Sequence, residues 1–452
     1  RRKPAAAAAA AAMTEIRPWT KRTFSPIGAG SVRGSICSLC CSAIGMGVLL
    51  LPYTVAQVGP LCSLSLLGFS ALMSYASLRM CCAGMHAARA RSYVDTLTAL
   101  FSERFAVLLT MMLVVAAFGL CCGYFVFASQ LVTQLMEVCG APSWLCNRQV
   151  VIALVASFVV FPLSLNRSLS DFRYLTLLSV TGLTSLILLV VFRTPRYIGS
   201  TEFPEGWWWR IPDVYAIPKC FSLCFGAYVV HMNVFACYDE LHNPTASRIN
   251  KVLLRATWVE TALYVAISVC GFLSFGAAAP DNILRAYDLE DRFANIGRAF
   301  VSFQLLLAIP LTVHPARQYL WPLLCLAGKR LSPPQNDLKQ PLVHASVGLQ
   351  PMPPLTLCLL TVGLVASSAL LAAKVESASD LLGVFSGFAS VTYAFLLPAE
   401  MGRKMRAASP SLAIDWKTSP AAFLTSRRGS LAIAGLRLCG VFGYVAAGQC
   451  AW

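Results

Sequence analysis

The sequence predicts an all-α polytopic membrane protein, on three observations. Of its 452 residues, 57% are apolar and only 12% are charged, the latter about half the share usual in a soluble domain. The polar residues collect in short stretches between long apolar runs, as a chain crossing lipid requires. Those runs approach the roughly 20 residues that a helix needs to cross a bilayer. Backbone polar groups in lipid must be satisfied within the segment, so runs of this length are helices. Barrel strands would be shorter and would alternate.

Taken in order, the chain starts with Arg1-Arg2-Lys3-Pro4 and a run of Ala too short to span. Residues 1–31 are therefore expected to form a disordered cytosolic tail, and residues 32–449 one transmembrane domain. Eleven spans are predicted, near 34–56, 60–82, 107–136, 149–165, 174–192, 219–238, 253–275, 296–314, 354–373, 380–399 and 429–449. The first carries Gly45, Gly47 and Pro52, which weaken its hydrogen-bond ladder. Two readings fit. The helix is broken where it lines a cavity, leaving helix ends free for ions or carboxylates, or the small residues allow close helix packing. The loop 194–218 holds Trp207-Trp208-Trp209 beside Arg210, which reads as an interfacial anchor in preference to a gate. The sixth span brings Gly226, Tyr228, His231 and Asn233 near its midplane. Polar groups there are costly and face a cavity or a partner helix. His231 reads either as a hydrogen-bonded packing residue or as a proton relay. The segment 317–353, with Pro333-Pro334 and Pro351-Met352-Pro353-Pro354, is expected to be a flexible inner linker.

The net charge of +16 would suggest nucleic acid on a soluble chain. Here Lys and Arg lie between spans, so the charge reads as topology. With the N-terminus in the cytosol, most of the 36 basic residues fall on the inner side, as the positive-inside rule asks, and the C-terminus lies outside. Asn166-Arg167-Ser168 is a formal glycosylation acceptor in a predicted inner loop. Of the 18 Cys, many sit in apolar runs and act there as small hydrophobes. No metal-ligand spacing is present and no cofactor is expected. Cys139 and Cys146, flanking one outer loop, are a candidate disulfide. Asp, Glu and His are nearly absent from the predicted spans, which argues against a membrane enzyme. No repeated pore-lining motif argues for a channel.

Several segments, in order, resemble the amino acid/auxin permease family, within the amino acid–polyamine–cation superfamily. Ile44-Gly45-Met46-Gly47-Val48-Leu49, followed by Leu51-Pro52-Tyr53, resembles its first-helix signature. Ser92-Tyr93-Val94-Asp95 resembles the segment after the second helix. Phe161-Pro162-Leu163-Ser164-Leu165 with Leu169-Ser170-Asp171-Phe172-Arg173-Tyr174 resembles the junction of the fourth and fifth helices. His231 with Tyr238, Glu240 and Leu241 resembles the end of the sixth, and Pro315-Ala316-Arg317 the close of the eighth. The likeness covers about residues 32–449, and its wording is nearest to amino acid permeases of trypanosomatid parasites.

The resemblance implies a five-plus-five inverted repeat plus one helix. It implies an amino acid substrate whose α-carboxylate meets an unwound first helix, at Ser42, Ala43, Ile44, Gly45, Met46 and Gly47. Phe225, Gly226 and Tyr228 would form the matching break in the sixth helix, with Tyr124 as a wall. Sodium-coupled relatives carry an Asn where this chain has Cys41 and a Thr where it has Ala308. Sodium needs hard oxygen ligands, so proton symport or facilitated transport is expected, with His231 as the proton-sensitive candidate. The expected function is secondary transport of amino acids across a membrane by alternating access, with a sensor on the same scaffold as the alternative. The plasma membrane is the expected location, with an organelle membrane kept open. Acidic residues in the outer loops (Asp281, Asp288, Glu290, Asp291) are a possible lure for cationic amino acids.

Overall fold

The computed structural model describes residues 31–90, 92–165, 173–200, 203–242, 245–331, 352–407 and 427–451. The expected tail at 1–30 and the glycosylation acceptor at Asn166 lie outside them. Among the described residues every regular element is helical, and each of the eleven predicted spans falls on helix.

The first span is two helices, α1 (Val32–Ala43) and α2 (Gly47–Val58), which meet at an angle of 62°. Next come α3 (Pro60–Ala88), a short α4 (Tyr93–Leu100) and α5 (Glu103–Val138). The fourth span is α6 (Arg148–Val155) joined through a π turn at Ala156–Val160 to α7 (Phe161–Ser164), and the fifth is α8 (Arg173–Tyr197). The sixth is again two helices, α9 (Ile217–Gly226) and α10 (His231–Glu240). Then follow α11 (Ala246–Phe275), α12 (Arg292–Leu331) and α13 (Pro354–Lys374). The tenth span is α14 (Ala378–Phe385), two π turns, and α15 (Leu397–Ala407). The last is α16 (Arg427–Ala451). Among the described residues seven helices are long and apolar enough to cross a membrane, and the bent α1–α2 pair makes eight; α6–α7 and part of α16 are shorter apolar helices.

Local chemistry explains several boundaries. Ser31, Ser92, Asn147 and Thr245 cap α1, α4, α6 and α11, each side chain accepting from a backbone N–H of the first turn. Gly59, at φ 81°, turns the chain between α2 and α3. The Arg210 carbonyl lies where its Cβ would stand, so only glycine fits.

Three expectations need correction. Cys139 and Cys146 are free thiols; Cys146 Sγ donates to the Ala141 carbonyl instead. The linker expected from 317 starts later, because α12 runs on to Leu331 through Pro315 and Pro322, and residues 332–351 lie outside the described ones. The helix α4 was not expected: its Ser92-x-x-Asp95 start is a cap, with Ser92 accepting from the Asp95 N–H at 3.1 Å.

Buried and half-buried arginines tie spans together, mostly through backbone oxygens. Arg317 donates to Ser164 O and Thr361 Oγ1, both at 2.6 Å, joining α12, α7 and α13. Arg148 donates to Ala372 O at 2.6 Å and Val375 O at 2.7 Å, where α13 leaves carbonyls free at its end. Arg298, fully buried, holds Leu284, Tyr287 and Asp288 by their carbonyls. The acidic loop predicted to be outer is also engaged. Asp281 accepts from the N–H groups of Ala378 and Ser379, Tyr197 donates to Asp288, and Asp291 pairs with Arg193 and caps α12. Three of the four acidic residues named from the sequence are thus bonded within the fold, and Glu290 is exposed.

Apolar side chains form two large clusters. One gathers around α2, α5, α11 and α12, the other around α1, α3, α10 and α15. The interruptions of the first and sixth spans fall on the seam: Ile44, Met46, Ala227 and Tyr228 belong to one, Ala43, Phe225 and Val230 to the other.

Candidate binding site at two broken helices

The site is built from backbone. In the first span, α1 ends at Ala43 and α2 begins at Gly47. Across the gap Ile44 N still reaches Cys40 O, Val48 N reaches Gly45 O at 3.2 Å and Leu49 N reaches Met46 O at 3.0 Å. The N–H groups of Gly45, Met46 and Gly47 make no backbone hydrogen bond. They sit at the N-terminus of α2, where the helix dipole adds a partial positive charge. Three free donors beside a helix N-terminus suit a carboxylate.

In the sixth span α9 ends at Gly226 and α10 begins at His231. Phe225 and Gly226 are therefore the last residues of a helix, and the break itself is Ala227 to Val230. The two breaks touch: a Cβ on Gly47 would lie 3.4 Å from Ala227 Cα and 3.5 Å from its Cβ. A Cβ at 47 would be in ordinary van der Waals contact with Ala227, so the breaks adjoin at Gly47 without excluding a small side chain.

Side chains from neighbouring helices satisfy the carbonyls that the breaks release. Tyr264 on α11, fully buried, shares its hydroxyl hydrogen between Ala43 O at 2.9 Å and Ala227 O at 2.8 Å, and so bridges both interruptions. Ser74 on α3 donates to Tyr228 O at 3.1 Å. Tyr228 donates to Thr261 Oγ1 at 3.0 Å, one face of α11 again. Sequence reasoning missed Tyr264 and Thr261. Nothing in one sequence marks a tyrosine in an ordinary apolar span as the partner of carbonyls more than 35 residues away.

The other sequence-selected residues are placed as follows. Ser42 is exposed and donates back to Ser38 O at 2.9 Å. Met46 is buried and meets α5: a Cβ on Gly123 would stand 3.0 Å from its Sδ. Tyr124, next along, is half-buried and packs on the same cluster. His231 is fully buried, 2.9 Å from Ser77 Oγ. Ser77 spends its hydroxyl hydrogen on the Ala394 carbonyl, so Ser77 accepts, and Nε2 of His231 carries the proton. Nδ1 has no partner. Cys41 lies 3.9 Å, sulfur to sulfur, from Cys37, while Ala308 is on α12, whose main packing is against α5 and α8.

One end of the site is latched. Lys219, at the start of α9, pairs with Asp380 of α14 and donates to Tyr53 Oη of α2 at 3.1 Å. The sixth, tenth and first spans are thus joined at the end predicted to be outside. Towards the other end Cys37, Ser38, Ser42 and Asn233 are exposed.

Comparison with known proteins agrees on kind. A family model described as transmembrane amino acid transporter protein matches residues 28–446. A protein of Toxoplasma gondii named as an amino acid transporter is 28% identical over 339 residues, covering 73% of this chain and 47% of that protein; the chain thus spans about half of that relative's length. Vacuolar amino acid transporter 6 of Saccharomyces cerevisiae is 24% identical over 412 residues, 83% of this chain and 90% of its own. Among solved structures, MhsT in complex with L-phenylalanine is a distant likeness, at 14% identity and a TM-score of 0.45, covering 93% of this chain and 98% of that one.

Proposed function

Because this chain belongs to the amino acid/auxin permease family, we propose that it carries amino acids across a membrane by alternating access, with the substrate held between the two broken helices. The observation that carries the reading is the pair of apposed interruptions, with three unpaired N–H groups at the start of α2 and the carbonyls opposite bonded by Tyr264. The α-carboxylate would lie on Gly45, Met46 and Gly47, and the α-ammonium would face break carbonyls. Tyr124, Phe225 and Tyr228 would wall the side chain.

The conformation reads as open to the inside. Support comes from the latch of Lys219, Asp380 and Tyr53 at the outer end, and from exposed polar side chains on α1 and α10 towards the inner end. The exposed amide of Asn233 is ill-suited to lipid and suits a water-filled vestibule. The orientation rests on the basic bias alone; a glycan on Asn166 would contradict it. Cys41 and Ala308 offer no hard oxygen for sodium, so proton symport or facilitated transport is the coupling we infer. The plasma membrane remains the location proposed, and the vacuolar relative makes an organelle membrane the place to look next.

Reconstituted into liposomes, the protein should take up at least one member of a labelled amino acid panel, saturably. Binding without flux of any member would favour a sensor.

A further inference from the structure

The helix that bridges both breaks also carries a carboxyl group that the sequence did not single out. Glu260 stands in the middle of α11, one turn before Tyr264, and is 2% exposed. Its Oε1 has no hydrogen-bond partner, and among the described residues no cation pairs with it. We infer that Glu260, in preference to His231, is the proton-carrying group that couples amino acid movement to a proton gradient. This rests on the transport reading given above.

The argument is one of place and access. The face of α11 that holds Glu260 looks at the first-span break: Cys40 Sγ reaches Ala256 O at 3.8 Å one turn earlier, and Tyr264 bonds Ala43 O one turn later. The titratable groups that interact with Glu260 are Cys40 of α1, Tyr228 of the sixth-span break and Tyr264 of its own helix; none is a cation. On α2, α3 and α8, which also pack against α11, several ionisable groups are committed elsewhere, and Arg33 of α1 lies seven residues before Cys40, near the start of that helix. Tyr53 of α2 binds Lys219. On α3, Tyr75 binds Asn250, Arg79 lies over the Tyr75 ring and His86 meets Tyr238. Arg193 of α8 binds Asp291.

A bare carboxylate in that setting is an uncompensated buried charge, which membrane interiors tolerate poorly. Glu260 must therefore hold a proton while α1 lies against it, as in this conformation, which precedes release, and can release the proton inward when α1 swings further away and admits water. At 2% exposure no substrate ammonium reaches it, but a proton can. The cycle balances: one proton joins the carboxylate from the outer side, substrate binds at the neighbouring breaks, and after the rearrangement both leave to the inside. His231 is less suited. Its Nε2–H is already given to Ser77, and a second proton would place an N–H at the unpartnered Nδ1, in a wall of Phe225 and Tyr393 rings.

The test uses purified protein in liposomes, with two transport readouts and one spectroscopic one. Labelled amino acid exchange without a gradient reports substrate movement; accumulation under an imposed inward proton gradient reports coupling. Wild type and Glu260→Asp should do both. Glu260→Gln should keep exchange and lose all gradient-driven accumulation and pH dependence. The infrared carbonyl band of a protonated carboxylic acid should be present in wild type and absent from Glu260→Gln. Gradient-driven accumulation by Glu260→Gln, or a wild type that ignores the gradient, overturns the assignment, as does loss of exchange in both variants. Failure of wild type to exchange any amino acid instead overturns the transport reading, while the infrared band still reports whether Glu260 holds a proton.

Discussion

At the scale of single residues, the site depends on side chains that stand in for lost helix bonds. Tyr264 is the plainest case. One hydroxyl hydrogen serves two carbonyls from two different spans, so Tyr264→Phe strands both at once. A buried acceptor left without a donor costs about 1–3 kcal/mol. The variant should melt measurably lower in detergent and transport more slowly, because the breaks lose their common brace; an unchanged melting temperature would show that water replaces the hydroxyl. Asp291 makes a second case, outside the spans. Burial pushes its carboxyl up, but hydrogen bonds from Arg193, the Ala294 N–H and Tyr197 outweigh that and hold it below the usual 3.8. A depressed carboxylate stabilises the fold fully above its ordinary value and loses the contribution as pH falls through its lowered one. Wild type should therefore lose stability on acidification below that value, and Asp291→Asn should be less stable at neutral pH but flatter across the acid range. Parallel melting curves for the two proteins would remove Asp291 from the acid response. Little of this was legible beforehand. The sequence shows which residues are tyrosine or aspartate, but not which distant carbonyl or guanidinium they meet.

At the scale of elements, the sequence was far more informative. Length and hydropathy placed a helix at every predicted span, since only helices satisfy backbone groups within such runs. Gly45 and Gly47 lie at the first-span break, where the structure bends by 62°, whereas Pro52 sits inside α2. The sixth-span break falls at Ala227 to Val230, slightly later than Phe225 to Tyr228, because Phe225 and Gly226 still complete a turn of α9. Composition could not see α4, which is short and held by its Ser92 cap. It also could not see that Arg148, Arg298 and Arg317, which count as topology signals, are partly structural, each holding carbonyls at a helix end or loop. Glu260 was missed for a related reason: one carboxyl in a long apolar run hardly alters its hydropathy.

At the scale of the whole molecule, the two apolar clusters meet along the seam where the broken helices lie. Because α3, α5 and α11 each contribute to both clusters, the clusters are two depths of one helical bundle, and the two breaks lie where those depths meet. The Lys219 latch closes one end of that seam and joins three spans. The central claim is that the seam holds an amino acid by its carboxylate. It is tested most directly by equilibrium binding to purified protein, comparing a transported amino acid with its methyl ester, in wild type and in Gly47→Leu. The Cβ of a leucine at 47 already reaches van der Waals contact with Ala227, so the rest of its side chain must take space at the start of α2, where the three N–H groups lie. The account predicts that wild type binds the free acid and not the ester, and that Gly47→Leu, still folded and membrane-inserted, binds neither. Equal binding of acid and ester, or normal binding by Gly47→Leu, would contradict it.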